Sequence, residues 1–217
     1  MGGKKRAFLI VGMGSFGHLL CRALTEEGCE VMIVDKEAAR LEDVLELAVS
    51  AKVGDCADQR VLESFDIPAF DGCFVCIGED FQHSLEITSF LKDLGARRVF
   101  SKAETDVQAK FLLRNGADEV IYPERDAAVR VAFSVSSDQV FDYAELSGDY
   151  SVFELQVKPQ WVGRSIAALN FRNHYQVAIL AVRRGEELTP LPEAGYVFQT
   201  GDHIVALGHR ADIRRLR

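Results

Sequence analysis

Apolar runs of four to six residues alternate with amphipathic segments over the first 122 residues of the chain. The apolar runs predict six β-strands, at 7–11, 30–35, 48–53, 72–77, 99–102 and 119–122. The segments between them predict helices after the first strand and at 38–47, 58–65, 81–94 and 107–114. Strands that alternate with helices form a parallel sheet covered on both faces, so we expect an α/β fold with a Rossmann-like, doubly wound first domain.

Two helical segments carry clear apolar positions. The helix after the first strand has one predicted apolar face, formed by Leu19, Leu20, Ala23 and Leu24. A further helix, predicted over 125–142, has apolar positions at Ala128, Val131, Ala132, Val135 and Val140. This second helix has no obvious following strand to cross to. It therefore either projects from the domain and exchanges with a partner, or packs against the sheet.

The pattern changes near residues 147–149. Beyond them the chain reads as short strands, at 151–157, 177–183, 196–198 and 203–207, with helical turns near 166–169 and 211–216. A charged stretch at 183–187 is typical of a hairpin turn. We expect two domains, at 1–143 and 147–217, the second a small α+β unit.

A glycine-rich turn joins the first strand to the first helix. Its sequence is G-x-G-x-x-G, with the residues Gly12, Met13, Gly14, Ser15, Phe16 and Gly17. In this motif the first glycine permits the tight turn, the second lets a phosphate approach the backbone, and the third lets the helix pack close to the sheet. The free N–H groups of the helix N-terminus attract phosphates.

The second strand ends in an acid, Asp35, 18 residues after Gly17. At about this spacing an acid accepts hydrogen bonds from ribose hydroxyls and disfavours a 2′-phosphate. Strand, glycine turn, helix, strand and acid together predict a nucleotide site, with NADP the least favoured ligand. The alternative is that the glycines only make a tight turn.

Composition narrows the class of protein. The net charge of −8 argues against binding to nucleic acid or to an anionic membrane surface. We find no membrane-span-length apolar stretch and no secretion signal, and we expect a cytoplasmic protein. The five cysteines fit reduced, buried thiols better than a disulfide framework. Cys73 and Cys76 match C-x-x-C, but residues three apart on a strand point to opposite faces, which disfavours a metal or redox pair.

The histidines do not form a recognisable catalytic pattern. They are His18, His83, His174, His203 and His209, and none shows the spacing of a catalytic triad or of a metal-ligand cluster. This favours a protein that binds a nucleotide without transforming it.

The whole order resembles the RCK family (regulator of potassium conductance). The chain is most similar to the cytoplasmic regulatory subunits of Trk and Ktr potassium-uptake systems, from Phe8 to Leu216. The resemblance is carried by the glycine turn, Val34-Asp35, and the motifs at 54–57, 77–80, 101–103, 115–126, 163–166, 169–172 and 201–202. The most specific of these is the run Asn115-Gly-Ala-Asp that continues to Pro123-Glu124.

The resemblance implies a regulatory subunit rather than an enzyme. In this family the first domain binds ATP, ADP or NAD(H), and dimers assemble into an octameric ring beneath a membrane potassium-transporting subunit. Exchange of ATP for ADP reshapes the ring and gates potassium flow. The protein would then lie at the inner face of the cell membrane through that subunit, and the helix after the sixth strand would cross to the partner protomer.

The resemblance also implies ligand contacts. Besides the glycine turn and Asp35, they are Lys36 at the ribose, Asp55 and Cys56 at the base, Ile77, Gly78 and Glu79 on the other side, Lys102 at a phosphate, and Glu124 near the phosphates and a cation such as Mg²⁺. The alternative for Lys102 is a solvated strand end, and for Glu124 a cap of the helix that follows Pro123.

One departure concerns Ser15. ATP-gated members often carry arginine at this position, where it meets terminal phosphates, and serine lacks that charge. Arg125 or Lys102 could compensate.

The second domain has its own candidate site. In some family members this domain binds cyclic di-AMP at a dimer interface, and the matching loop here is Asn170, Phe171, Arg172 and Asn173. An arginine in this loop could face a phosphate, or it is an ordinary surface residue.

Two other functions remain open. The first is an NAD(H)-dependent oxidoreductase, for which Asp35 is equally suitable. The second is a stand-alone NAD(H) redox sensor without a channel partner.

Overall fold

The computed structural model describes residues 5–135, 140–147 and 149–216. The chain divides into two compact units, Met1–Arg125 and Asp126–Arg217. This division lies before the boundary that the sequence predicts between 143 and 147, because residues 140–147 form a strand that pairs within the second sheet. Among the described residues, no helix is both long and apolar enough to cross a bilayer.

The first unit is built on a parallel sheet of six strands. In chain order they are β1 (Ala7–Val11), β2 (Glu30–Asp35), β3 (Ser50–Val53), β4 (Gly72–Val75), β5 (Val99–Lys102) and β6 (Glu119–Ile121). Their order across the sheet is β3-β2-β1-β4-β5-β6, with parallel pairing throughout. The six predicted strands and the doubly wound fold are confirmed, with ends that differ by at most two residues.

Four helices of this unit connect the strands: α1 (Ser15–Glu26), α2 (Gln59–Glu63), α3 (Phe81–Asp93) and α4 (Asp106–Arg114). Side chains fix where three of them begin. Asp58 accepts a hydrogen bond from the N–H of Arg60, Asp80 accepts one from the N–H of His83, and Thr105 forms a capping box with Gln108. α1 begins instead at Gly14, which has no side chain to cap it.

Hydrophobic clusters cover both faces of the sheet, as the apolar strands require. On one face Leu9 and Val11 pack with Leu62 of α2 and Ile87 of α3. On the other face Ile10 packs with residues of α1 and of the segment after β2, namely Cys21, Leu41 and Val44. Neighbouring residues of β1 thus serve opposite faces, and this alternation fixes the register of the central strand.

The predicted apolar face of α1 was partly wrong. Leu19 is 66% exposed and Ala23 is exposed, whereas Gly17 and Cys21 are the buried positions. The helix turns Gly17 towards the sheet, where this residue lies directly against the carbonyl of Gly12 and leaves no room for a side chain. Leu20 and Leu24 pack at the edge of the same cluster.

The predicted helix at 38–47 was also wrong. This segment forms two short 3-10 turns, Ala38–Arg40 and Glu42–Val44. Leu41 and Val44 are its buried residues, and their spacing of three matches the three residues per turn of a 3-10 helix.

α5 covers part of the helix predicted at 125–142. It spans Pro123–Val135, residues 136–139 lie outside the described part of the chain, and Val140 belongs to the strand β7 (Val140–Ser147), which the sequence did not predict. The α5 side chains from Glu124 to Ala132 are exposed. Exchange of α5 with a partner stays a prediction, as does its packing against the sheet.

The second unit contains an antiparallel sheet of order β10-β9-β11-β8-β7. The strands besides β7 are β8 (Tyr150–Gln156), β9 (Val177–Arg184), β10 (Glu187–Pro190) and β11 (Asp202–His209), and the helices are α6 (Ile166–Leu169), α7 (Phe171–His174) and α8 (Arg210–Arg215). The hairpin predicted at 183–187 is present between β9 and β10. The strand predicted at 196–198 is not, since Val197 makes a single bridge to Ser165.

A buried carboxylate organises one end of the second sheet. Asp202 is fully buried and accepts hydrogen bonds from Nε of Arg184 at 2.7 Å, from the hydroxyl of Tyr196 at 2.9 Å and from the N–H of Gln199 at 2.9 Å. Burial alone would raise the pKa of Asp202, but these donors outweigh it and hold the pKa below its usual value.

The contact between α1 and the glycine turn predicts that alanine at Gly17 destabilises the fold more than alanine at Gly14. A Cβ on Gly17 would lie 2.2 Å from the carbonyl oxygen of Gly12, whereas a Cβ on Gly14 would meet nothing within 4 Å. We expect Gly17→Ala to lower the free energy of unfolding by about 1–3 kcal/mol through overpacking, and Gly14→Ala to change it little. Urea denaturation followed by far-UV circular dichroism measures both, and equal effects would contradict the packing described.

The Asp202 network predicts a loss of stability at low pH. The pKa of Asp202 is lower in the folded chain, so its contribution is present above the pKa of the unfolded chain and is lost as the pH falls through the folded value. We expect Asp202→Asn to cost about 2 kcal/mol at neutral pH and to reduce this acid sensitivity. Trp161 is the single tryptophan and is buried in this unit, so its fluorescence reports the transition. The exposed Glu187→Gln is the matched control.

Candidate functional site

A cleft of about 390 Å³ lies at the carboxyl ends of the parallel strands of the first unit. The strand order reverses between β1 and β4, and this switch point is where ligands bind in doubly wound sheets. Residues after β1, β2, β3, β4 and β5 all contribute to its walls. Of the sequence-predicted contacts in this domain, all except Met13 and Gly17 line the cleft: Gly12, Gly14, Ser15, Phe16, Asp35, Lys36, Asp55, Cys56, Ile77, Gly78, Glu79, Lys102 and Glu124.

The glycine turn forms the floor of the cleft. Gly12 has φ +93°, a conformation that favours glycine. Gly14 stands at the start of α1 with open space where a side chain would be. Backbone N–H groups of the first helical turn therefore face the cleft without a capping side chain, which suits an anionic group.

Asp35 is held in the cleft by two backbone hydrogen bonds. It is only 7% exposed, and its two carboxylate oxygens accept hydrogen bonds from the N–H of Met13 at 2.7 Å and from the N–H of Glu37 at 2.9 Å. The first bond ties the glycine turn to the end of β2. Met13 thus acts through its backbone, and its buried side chain belongs to the core.

Asp55 and Cys56 follow β3, the strand that pairs with β2, and so lie on the Asp35 side of the cleft. Asp55 accepts a hydrogen bond from the N–H of Ala57 at 3.0 Å. Burial, and then the charges of Asp55 and Asp35, raise the pKa of the Cys56 thiol to about 12. The thiol is therefore neutral at physiological pH and forms an apolar wall. Burial likewise raises the pKa of Cys73 and Cys76 to about 12, and these two lie in clusters on opposite faces of the sheet.

The opposite wall carries an ion pair. Nζ of Lys102 lies 2.5 Å from Oε1 of Glu124, and the hydrogen bond from Lys102 lowers the pKa of Glu124. A Cβ on Gly78 would lie 3.0 Å from the same Nζ. The absence of a side chain at Gly78 therefore leaves room for the Lys102 ammonium beside the end of β4.

Sequence reasoning missed five charged or titratable residues of the cleft: Glu37, Arg40, Asp80, His83 and Glu104. The sequence could have indicated Asp80, since an acid directly before an amphipathic helix is typical of an N-cap. In the structure Oδ2 of Asp80 lies 2.9 Å from Nδ1 of His83. Arg40 was not predicted as a cleft residue because the segment 38–47 was wrongly predicted to be one helix.

The cleft has more acidic than basic side chains. Three cationic residues line it, Lys36, Arg40 and Lys102. Seven carboxylates line it, Asp35, Glu37, Asp55, Glu79, Asp80, Glu104 and Glu124. This excess opposes a highly charged polyphosphate unless a cation accompanies it. Within the described parts of the chain, no group of three or more His, Cys, Asp or Glu side chains is arranged to hold a metal ion by itself.

Arg125 does not occupy the place of the arginine that Ser15 replaces. Its guanidinium lies 3.4 Å from the ring centre of Tyr122 and 3.0 Å from Oδ1 of Asp106. It is outside the residues that line the cleft, whereas Lys102 is inside. Of the two predicted substitutes, Lys102 lines the cleft and Arg125 does not, and a phosphate contact of either stays a prediction.

The predicted regulatory loop of the second unit is not a loop in the structure, because only Asn170 lies between α6 and α7 and the other three residues belong to α7. Phe171 is 3% exposed and its ring packs against Trp161 and Phe198 in the core, so its contact with a ligand stays a prediction. Asn170 adopts a left-handed conformation with φ +47°, and its side chain accepts a hydrogen bond from Asn173. Arg172 is exposed, and a phosphate contact there stays a prediction.

Two known protein domains match this chain, one in its first part and one in its second. Residues 8–123 match the TrkA-N domain and residues 151–217 match the TrkA-C domain. The chain is 36% identical to Ktr system potassium uptake protein C of Bacillus subtilis, over 97% of this chain and 96% of that protein. It is 32% identical to Ktr system potassium uptake protein A of the same organism, over 98% and 96%.

The same fold occurs in solved structures. The RCK domain of GsuK superimposes with a TM-score of 0.65 at 18% identity, over 98% of this chain and 47% of that chain. The GsuK channel bound to NAD gives a TM-score of 0.66 at 18% identity, over 96% and 38%. This chain thus spans less than half of those chains, and the likeness concerns the fold.

These findings agree on one family. The two domains match in the expected order, and the similarity to Ktr proteins covers nearly the full chain. The chain belongs to the RCK family, among the potassium uptake proteins built from a TrkA-N and a TrkA-C domain.

Proposed function

We propose that this protein is a nucleotide-binding regulatory subunit of a Ktr-type potassium uptake system. The observation that carries the proposal is the cleft, in which Asp35 is fixed by the N–H of Met13 beside an uncapped helix N-terminus. A ribose on Asp35 and phosphates on the glycine turn would fill it from end to end. The similarity to Ktr potassium uptake proteins over nearly the whole chain supports the role in potassium transport.

The ligand in this proposal is ATP, ADP or NAD(H). Lys36 and Asp55 line the side of Asp35, and Ile77, Gly78 and Glu79 line the other side. Lys102 supplies a positive charge for a phosphate, in an ion pair with Glu124. Solved structures of GsuK, which share this fold, hold NAD or ADP, and this supports an adenine nucleotide as the ligand.

A cation completes the site when a polyphosphate binds. The Glu124 carboxylate is 64% exposed at the cleft, and carboxylate and phosphate oxygens are the ligands that Mg²⁺ prefers. Glu124 would hold the cation together with the nucleotide, since the protein alone presents too few ligands. The cation would neutralise charge in an acid-rich cleft.

The membrane potassium-transporting subunit is the proposed partner, and the protein acts from the cytoplasm as an oligomeric ring of dimers. α5 presents exposed apolar side chains, with Val131 58% and Val135 76% exposed. These positions suit a helix that is covered by a second protomer. Ligand control then requires that the nucleotide bind two ring shapes with different affinities.

A second candidate function is NAD(H)-dependent hydride transfer. One contact favours it, the pair of Asp80 and His83 in the cleft, because a carboxylate that orients an imidazole is the arrangement of a general base. Turnover of NADH with a panel of carbonyl compounds, lost in His83→Ala, would establish this function and contradict a purely regulatory role.

The first test is calorimetric titration with ATP, ADP, NAD and NADH, with the particle mass measured by light scattering. We expect micromolar binding of an adenine nucleotide to an oligomer well above the 24.1 kDa of one chain. Gly14→Asp should abolish binding, because its side chain enters open space in the cleft without disturbing the fold. A strict monomer, or nucleotide affinity unchanged in Gly14→Asp, would contradict the proposal.

The excess of carboxylates predicts that Mg²⁺ discriminates between ligands. We expect Mg²⁺ to raise the affinity for ATP about tenfold or more relative to EDTA, and to change the affinity for NAD much less, since NAD carries fewer phosphate charges. Glu124→Gln should reduce the effect of Mg²⁺. The matched control is Glu119→Gln, an acid in an ion pair with Arg98 outside the residues that line the cleft. Equal Mg²⁺ dependence for ATP and NAD would contradict the cation site.

A further inference from the structure

The turn that follows Asp35 places a second acid and an arginine in the cleft. Glu37 and Arg40 both line it, and Oε1 of Glu37 lies 2.8 Å from a terminal nitrogen of the Arg40 guanidinium. Both side chains are partly exposed, 50% for Glu37 and 40% for Arg40. The pair is therefore accessible to a ligand, and neither residue is needed for the core.

The backbone fixes where this pair stands. The N–H of Glu37 donates to Oδ1 of Asp35 at 2.9 Å, which anchors the start of the turn to the acid at the end of β2. At the other end, Nε2 of His18 on α1 lies 2.6 Å from the carbonyl oxygen of Arg40. The pair is thus held beside Asp35 by two elements of the sheet-and-helix scaffold.

An arginine at this place has an obvious chemical use. A guanidinium binds a phosphate through two parallel hydrogen bonds, and an arginine near the ribose is how doubly wound folds accommodate a 2′-phosphate. Here Oε1 of Glu37 pairs with one terminal nitrogen of the guanidinium. Its carboxylate also adds a second negative charge next to Asp35, which repels a phosphate at the 2′ position.

We propose that Glu37 masks Arg40, and that this pair sets the preference of the cleft for nucleotides with a free 2′-hydroxyl over those with a 2′-phosphate. The inference rests on the proposed function, since it requires an adenine nucleotide with its ribose on Asp35. The selectivity against a 2′-phosphate then depends on Glu37, the partner of Arg40, as well as on Asp35.

The test compares NAD with NADP, which differ only in the 2′-phosphate. The unmodified protein should bind NAD more tightly than NADP in calorimetric titrations. Glu37→Gln should shift the ratio of the two dissociation constants towards NADP by about tenfold, because it removes one charge and frees Arg40. In Glu37→Gln combined with Arg40→Gln, most of that shift should disappear.

Controls separate this pair from general charge effects. Glu42→Gln removes one negative charge from the next 3-10 turn, outside the residues that line the cleft, and should leave the ratio unchanged. An unchanged ratio in Glu37→Gln would overturn the proposal. A shift that persists in the double variant would do the same, because Arg40 would not be the phosphate receptor. Failure of the unmodified protein to bind either dinucleotide would also overturn the proposal, and failure to bind ATP and ADP as well would overturn the proposed function itself.

Discussion

The hydrogen bond from the N–H of Met13 to Asp35 is the contact on which the cleft depends. It joins the glycine turn after β1 to the last residue of β2, at the carboxyl edge of the sheet. The N–H of Gly12 adds a second bond, to the carbonyl oxygen of Val34 at 2.9 Å. Together these bonds set the spacing between the backbone of the glycine turn and the Asp35 carboxylate. The remaining walls of the cleft are arranged around that fixed distance.

The electrostatics of the cleft follow from the same geometry. Asp35 is buried and satisfied by backbone donors, so it stays in place whatever ligand arrives. Two of the three cationic residues of the cleft are paired with an acid, Lys102 with Glu124 and Arg40 with Glu37. Under the proposed function, a ligand phosphate would compete with a carboxylate for each of these two, and binding would exchange one ion pair for another.

Much of the fold and part of the site could be predicted from the sequence. The six strands follow from apolar runs such as Phe8 to Val11, because a strand buried on both faces needs side chains that suit both. The glycine turn and Asp35 follow from local chemistry, since only glycine tolerates those close approaches. The Ala-rich segment after Asp35 looked helical, but the packing of Leu41 and Val44 against the sheet determined its 3-10 turns. β7 was missed because it depends on pairing with β8, a tertiary contact.

The small strand β10 has a consequence for how the second unit behaves in a crowded solution. It forms one edge of the antiparallel sheet, and an open edge offers unpaired backbone groups to any extended chain. Here the edge is four residues long, begins with the charged Glu187 and ends at Pro190, which has no N–H to donate. That side of the sheet is consequently a poor template for strand addition, so the hairpin resists aggregation although Leu188 is 53% exposed.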